Sequence, residues 1–144
     1  LLWVVMGAAA ISTNAGSTLI MTDSGLPFLQ AMRPFIDGMT LIIWAWGTWW
    51  IPMLILFGLW KHIVCRVPIS YTPMLWSLVF PLGMYALASL RLSLAVEFSP
   101  LRTISQVMVW VALAVWSMTA IGLVVSNWRS LRRFMQPAEA PALS

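Results

Sequence analysis

The sequence predicts an all-α integral membrane protein with four transmembrane helices, arranged as two helical hairpins. Hydrophobic residues make up 61% of the 144-residue chain and charged residues only 8%, a balance that soluble domains of this size do not have. Four apolar segments approach the roughly 20 residues with which an α-helix crosses a bilayer core of about 30 Å. Each is separated from the next by a stretch that holds proline and charged residues.

The four segments alternate in character. The first and third hold small, polar or helix-breaking residues, whereas the second and fourth are apolar on every face and carry tryptophans. This alternation predicts that the first helix of each hairpin faces an interior axis and the second faces lipid. The predicted helices cover residues 1–21, 37–60, 73–96 and 105–127, within a transmembrane domain of residues 1–133 that is followed by a disordered cytoplasmic tail over residues 134–144.

Two inner helices are too few to enclose a pore. The chain starts at Leu1, inside an apolar run and without a methionine. We therefore expect it to be part of a longer protein whose upstream region supplies further hairpins, or else to oligomerise.

The first predicted helix has the composition of an inner helix. Small residues recur every four positions, which predicts a flat face that another helix can approach closely: they are Ala8, Ser12 and Gly16. Thr13, Asn14 and Ser17 lie on a neighbouring arc. An asparagine in hydrocarbon needs a partner helix or a watered cavity, so Asn14 either joins helices or lines a pore.

The second predicted helix is apolar all round. A surface loop is expected before it over residues 22–36, because Gly25, Pro27 and Pro34 are typical of turns. Pro52 is expected to kink the helix. Four crowded tryptophans could form a ligand box, although lipid-facing bulk is their more common role: Trp44, Trp46, Trp49 and Trp50.

The stretch from Tyr71 to Arg91 contains the strongest candidate for a functional element. Here Phe80 directly precedes Pro81, and Gly83 follows. Proline lacks an N–H and its ring collides with the carbonyl four residues earlier, so Pro81 should kink the helix and free the Ser77 carbonyl. A kinked helix with an aromatic side chain at the kink predicts a pore or gate element. The alternative is that Phe80 merely faces lipid.

Basic residues predict the orientation of the helices, because they are enriched in cytoplasmic loops. One side of the membrane has five basic residues and one acidic residue: Lys61, Arg66, Arg129, Arg132 and Arg133, with Glu139. The other side has three of each: Arg33, Arg91 and Arg102, with Asp23, Asp37 and Glu97. The first side is predicted to be cytoplasmic. The tryptophans expected at that boundary form an aromatic belt: Trp3, Trp60, Trp76 and Trp128.

Charge and composition argue against several other functions. The net charge of +4 comes from basic residues at helix ends rather than from one patch, so no nucleic-acid partner is expected. One histidine, His62, and one cysteine, Cys65, give no metal-site spacing and no intramolecular disulfide. His62 could act as a pH switch, but an interfacial histidine beside a lysine is usually unspecialised. We expect no cofactor, no metal and no enzymatic activity.

Two segments resemble a known family. LWSLVFPLGMYALASLRLS is similar to the penultimate transmembrane helix of the tellurite-resistance and C4-dicarboxylate transporter family, and MGAAAISTNAGSTL resembles the helix two spans earlier. The family includes malate and sulfite exporters and the slow-type, voltage-dependent anion channels of plant guard cells. The resemblance implies ten helices in five hairpins around a central pore, assembly as a trimer, and a chain that supplies the last four helices.

The resemblance also implies roles for individual residues. Phe80 matches the phenylalanine that closes the family's pore, which makes it the predicted gate. Ser77, Pro81 and Gly83 would form the kink and the adjoining pore wall. Thr13, Asn14 and Ser17 are candidates for the pore lining through the match of the first helix. Independently of the resemblance, a basic residue near the mouth of a pore would attract anions, and Arg91 is the candidate at the outer end. The alternative is that Arg91 only extends its side chain to the membrane interface.

The expected function is therefore transport of anions through a phenylalanine-gated pore in a bacterial inner membrane. The expected substrates are small inorganic anions, dicarboxylates or tellurite-type and sulfite-type oxyanions, and the lipid bilayer is the surrounding partner. The alternative is a complete four-helix membrane protein that acts as an assembly or sensory partner without transporting anything.

Overall fold

The structure is a computed structural model and describes residues 3–22, 25–67 and 71–135. These residues form four long helices and no strand: α1 (Trp3–Met21), α2 (Pro27–Leu59), α3 (Trp76–Ala95) and α4 (Ser99–Met135). All four are long and apolar enough to cross a membrane. The predicted tail, residues 134–144, lies outside the described residues from residue 136 onward.

The second helix begins ten residues earlier than expected. Residues 22–36 were predicted to form a loop, but α2 starts at Pro27, which occupies the first helical turn where a missing N–H is not needed. Pro34 and Pro52 both lie inside α2, and neither ends it. After Leu59 the chain makes a π-helical turn over Trp60–Val64.

The third helix continues through a proline, and the fourth is the longest of the four described helices. A short 3₁₀ turn, Pro73–Leu75, leads into α3, which continues past Pro81 as one helix. Because Pro81 has no N–H, the Ser77 carbonyl lacks its usual partner within the helix. The fourth helix contains 37 residues. At 1.5 Å per residue it is about 55 Å long, so it extends beyond the hydrocarbon core.

The helices pack in the order α2, α1, α3, α4. The first helix contacts both α2 and α3, and α3 contacts both α1 and α4. Buried residues make up 39% and 44% of the most apolar stretches of α1 and α3, against 11% and 6% for α2 and α4. The predicted fold class of two helical hairpins, with α1 and α3 inside, is confirmed.

Small residues bring α1 close to its neighbours. A Cβ atom on Gly47 of α2 would lie 2.9 Å from the Ala9 Cβ, and one on Gly16 would lie 3.1 Å from the Thr40 Cβ. The prediction that Ala8, Ser12 and Gly16 form the small-residue contact face of α1 is correct at Gly16 only. Ala8 and Ser12 are exposed, and the contact with α2 is made by Ala9 and Gly16, seven residues apart.

Candidate functional site

Phe80 lies on the side of α3 that neither α1 nor α4 covers. Its side chain is 57% exposed, and Leu87 and Leu94, one and two heptads further along, are exposed on the same stripe. Seven residues make nearly two helical turns, so these side chains share one face. This uncovered stripe runs along an inner helix of the fold, which is where a pathway wall would lie.

Pro81 is buried, in contrast to Phe80, and it packs against α1. A Cβ atom on Gly7 would lie 3.1 Å from the Pro81 Cγ and 3.3 Å from its Cβ. The proline ring therefore occupies the space that the missing side chain of Gly7 leaves. Successive residues on a helix differ by about 100° in direction, so anchoring Pro81 against α1 turns Phe80 toward the uncovered face.

Ser77 and Gly83 lie on either side of this pair. Ser77 is partly buried, and its Oγ donates a hydrogen bond of 2.6 Å to the Met74 carbonyl. Gly83 is exposed, with open space where a Cβ would lie. It lines an apolar groove of about 360 Å³ between α3 and α4. Of the four residues predicted at the kink, Phe80 and Gly83 are exposed, Ser77 is partly buried and Pro81 is buried.

Thr13 and Ser17 point into the helix bundle. Both are fully buried, and each hydroxyl donates to the carbonyl four residues earlier, at 2.9 Å for Thr13 and 2.8 Å for Ser17. Both side chains are therefore covered by neighbouring helices in the described part of the chain, and their pore-lining role stays a prediction. Asn14 is half-buried, and its Oδ1 atom has no hydrogen-bond partner among the described residues.

Arg91 links α3 to α1. Its Nη1 donates to the Thr18 Oγ1 at 3.0 Å, and Thr18 in turn donates to the Asn14 carbonyl at 2.9 Å. The guanidinium group thus lies beside the polar part of α1, three helical turns along α3 from Phe80. This contact between Arg91 and Thr18 was not anticipated from the sequence, because the two residues are 73 positions apart.

A second polar contact joins α2 to α3. The Trp44 Nε1 donates to the Ser89 Oγ at 2.9 Å, and the Tyr85 and Thr48 hydroxyls lie 2.7 Å apart. The Trp44 and Tyr85 rings stack with centroids 6.1 Å apart. We call these four residues the α2–α3 polar junction. Sequence reasoning missed it, and treated Trp44 as lipid-facing bulk.

The proton positions in this junction follow from the other bonds of its hydroxyls. Thr48 donates its only hydroxyl hydrogen to the Trp44 carbonyl, so Tyr85 must be the donor in the Thr48–Tyr85 bond. Ser89 donates to the Tyr85 carbonyl and accepts from Trp44. The Thr48 and Ser89 hydroxyls therefore each donate to the backbone carbonyl four residues earlier in their own helix. Each also accepts a hydrogen bond from one aromatic side chain of the other helix.

Comparison with known proteins identifies the family. The model of a family described as voltage-dependent anion channel, SLAC1, matches residues 1–124. The chain belongs to the voltage-dependent anion channel family. This match confirms the resemblance drawn from the helix around Phe80 and from the first helix. No solved structure matches the chain.

Curated relatives are consistent with membership of this channel family. The chain is 42% identical over 123 residues to an uncharacterized membrane protein found in two strains of Mycobacterium tuberculosis, covering 85% of this chain and 61% of that protein. It is 26% identical over 119 residues to an uncharacterized transporter of Methanocaldococcus jannaschii, covering 83% of this chain and 33% of the transporter. The chain thus spans about three fifths of the length of the mycobacterial relatives.

Proposed function

We propose that this chain forms part of an anion-transport pathway in which Phe80 is the gate. The observation that carries the proposal is the pairing of an uncovered Phe80 with a buried Pro81 on an inner helix. Membership of the anion channel family supports it. The substrates would be small inorganic anions, dicarboxylates or oxyanions of the tellurite and sulfite type.

The assembly around the gate is part of the same proposal. The uncovered stripe of α3 would face a central pore formed by five hairpins, in a protein that assembles as a trimer. The membrane would be a bacterial inner membrane, and the C-terminus of the chain would be cytoplasmic. This orientation rests on the excess of basic residues at the end of the bundle where α2 and α4 terminate.

The gating mechanism follows from the chemistry of the uncovered stripe. Around Phe80 its side chains are apolar and uncharged, so a narrow path there holds little water, and one aromatic ring can close it by steric block and dewetting. Gly83 leaves the wall open beside the ring. Arg91, near the outer end, would favour anions over cations through its charge.

The test is the substitution Phe80→Ala in the intact protein, reconstituted in liposomes or a planar bilayer. Removing the ring should raise anion flux roughly tenfold or more, since a barrier lower by about 1.4 kcal/mol corresponds to a factor of ten. The matched control is Phe35→Ala on α2, a phenylalanine that is 60% exposed against 57% for Phe80. It should leave flux unchanged.

Two results would contradict this assignment. Unchanged flux in a normally folded Phe80→Ala variant would remove Phe80 as the gate. An equal rise in Phe35→Ala would mean that loss of any exposed aromatic ring makes the bilayer leak.

A further inference from the structure

A cavity of about 710 Å³ lies at the end of the bundle where α1 begins, α2 ends and α3 begins. Each of these helices contributes an apolar part of its wall: Trp3 from α1, Leu54 from α2 and Leu78 from α3. The cavity is large enough for a segment of hydrocarbon chain. It is separate from the uncovered stripe that carries Phe80.

Two basic side chains line the same cavity. Lys61 and His62 come from the π-helical turn that ends α2. The His62 Nδ1 lies 2.9 Å from the Val67 carbonyl, and since a carbonyl can only accept, the ring donates this hydrogen bond. Arg66, with a φ of 48°, reverses the chain just before Val67. The segment after α2 therefore folds back and holds the imidazole at the cavity.

The lining has one sign of charge. No acidic residue occurs among the described residues that line the cavity. An apolar chamber with a cationic edge complements a molecule that has an anionic head and a hydrocarbon chain. A free small anion would leave the apolar walls without a partner, and a neutral lipid would leave Lys61 without one.

We propose that this cavity binds one anionic phospholipid. The headgroup phosphate lies at Lys61 and His62, and part of an acyl chain lies between the apolar walls of α2 and α3. Basic pockets between transmembrane helices are known to hold anionic lipid headgroups in this way. The lipid would contact Ser77 and Leu78, in the first turn of α3. This proposal does not depend on the role of Phe80.

The charge requirement is tested by native mass spectrometry of the intact protein in detergent. The protein is titrated with phosphatidylglycerol and, separately, with phosphatidylcholine of the same acyl chains. Wild type should retain phosphatidylglycerol in preference, and Lys61→Gln should lower that retention about fivefold, the ratio expected for the loss of one basic residue beside an anionic lipid. Arg129→Gln on the exposed part of α4 is the control and should change nothing.

The cavity itself is tested by filling it while keeping the charges. Gly58 lines the cavity, and a Cβ atom there meets no other atom within 4 Å, so Gly58→Leu should fold and occupy the chamber. It should lose phosphatidylglycerol, whereas Gly38→Leu, also in open space on α2, should retain it.

Three outcomes would overturn the proposal. Undiminished lipid retention by Lys61→Gln or by Gly58→Leu would mean that the lipid binds elsewhere. Displacement of the lipid by inorganic phosphate would mean that the site binds a free anion. Absence of retained phosphatidylglycerol on the wild type would mean that another part of the protein occupies the cavity.

Discussion

Gly16 lies where α1 packs on α2 and leaves no space for a side chain. A Cβ atom there would approach the Thr40 Cγ2 to 3.0 Å and the Thr40 Cβ to 3.1 Å. Rotation of the Thr40 side chain cannot relieve the second contact, because the backbone fixes the position of the Cβ atom. The two helices would therefore have to move apart to accept even a methyl group at residue 16.

We predict that Gly16→Ala lowers the free energy of unfolding by about 1–3 kcal/mol, the usual cost of overpacking. Gly38→Ala is the matched control, since a Cβ at Gly38 meets nothing within 4 Å. Alanine is favoured over glycine within a helix by about 1 kcal/mol, so the control should be neutral or stabilising. The measurement is unfolding in detergent micelles. Equal effects of the two substitutions would mean that the contact at Gly16 is not restrictive.

The small-residue face of α1 shows how far the sequence could predict contacts at this scale. Steps of four residues turn by 400° on an α-helix, so Ala8, Ser12 and Gly16 drift around the axis by about 40° at each step. A step of seven residues drifts by only about 20°, which is why Ala9 and Gly16 share the contact with α2. The sequence indicates that α1 has a small-residue face, but which register meets a neighbour depends on where that neighbour lies.

At the scale of helices, the α2–α3 polar junction holds together two elements that otherwise touch little. The contacts of α3 are mainly with α1 and α4, and α2 reaches it only at a few residues. Two hydrogen bonds and one ring stack are concentrated there. The junction therefore links α2 of the first hairpin to α3 of the second, about one turn beyond Pro81 at Tyr85 and two turns beyond it at Ser89.

We predict a measurable coupling between Trp44 and Ser89. In a double-mutant cycle of Trp44→Phe and Ser89→Ala, the coupling free energy should be about 0.6 kcal/mol, the average for hydrogen bonds between transmembrane helices. Ser117→Ala is the control partner, since that exposed hydroxyl bonds only within α4. A coupling of zero would show that the indole and the serine contribute independently, and a coupling as large with Ser117 would show a non-specific effect.

No sequence pattern predicted this junction, because it depends on how α2 and α3 pack against each other in the folded protein. Trp44 is one of four closely spaced tryptophans, and hydropathy does not distinguish an indole that meets a serine from one that meets lipid. The start of α2 was missed for a different reason. Prolines in the first turn of a helix look the same in a sequence as prolines in a loop, and α2 continues through Pro34.

At the scale of the whole molecule, the arrangement of α1 and α3 inside and α2 and α4 outside was predictable. An inner helix must approach other helices on several sides, which selects small and polar residues, and a helix with one neighbour can be apolar all round. The direction of Phe80 could not be predicted in full, because the residues alone left both a pore and lipid open and the family resemblance favoured the pore. It depends on the packing of Pro81 against Gly7, two residues that lie 74 positions apart in the chain.

The orientation of the whole bundle can be tested with the single cysteine of the chain. Cys65 is free and exposed, and it follows α2 at the end that carries the excess of basic residues. We predict that this end is cytoplasmic, because basic loops are retained on that side during insertion. A membrane-impermeant maleimide should then label Cys65 in inside-out vesicles and not in intact cells.

A variant of the intact protein with Cys65→Ser and Thr22→Cys provides the opposite control, since Thr22 is exposed just after α1, at the other end of the bundle. It should be labelled from outside the cell only. Labelling of Cys65 from outside would reverse the orientation. It would place Lys61, His62 and the proposed lipid-binding cavity on the outer face and Arg91 near the cytoplasm. The role proposed for Arg91 would then be to attract anions that leave the cell, whereas in the predicted orientation it would be to attract anions that enter.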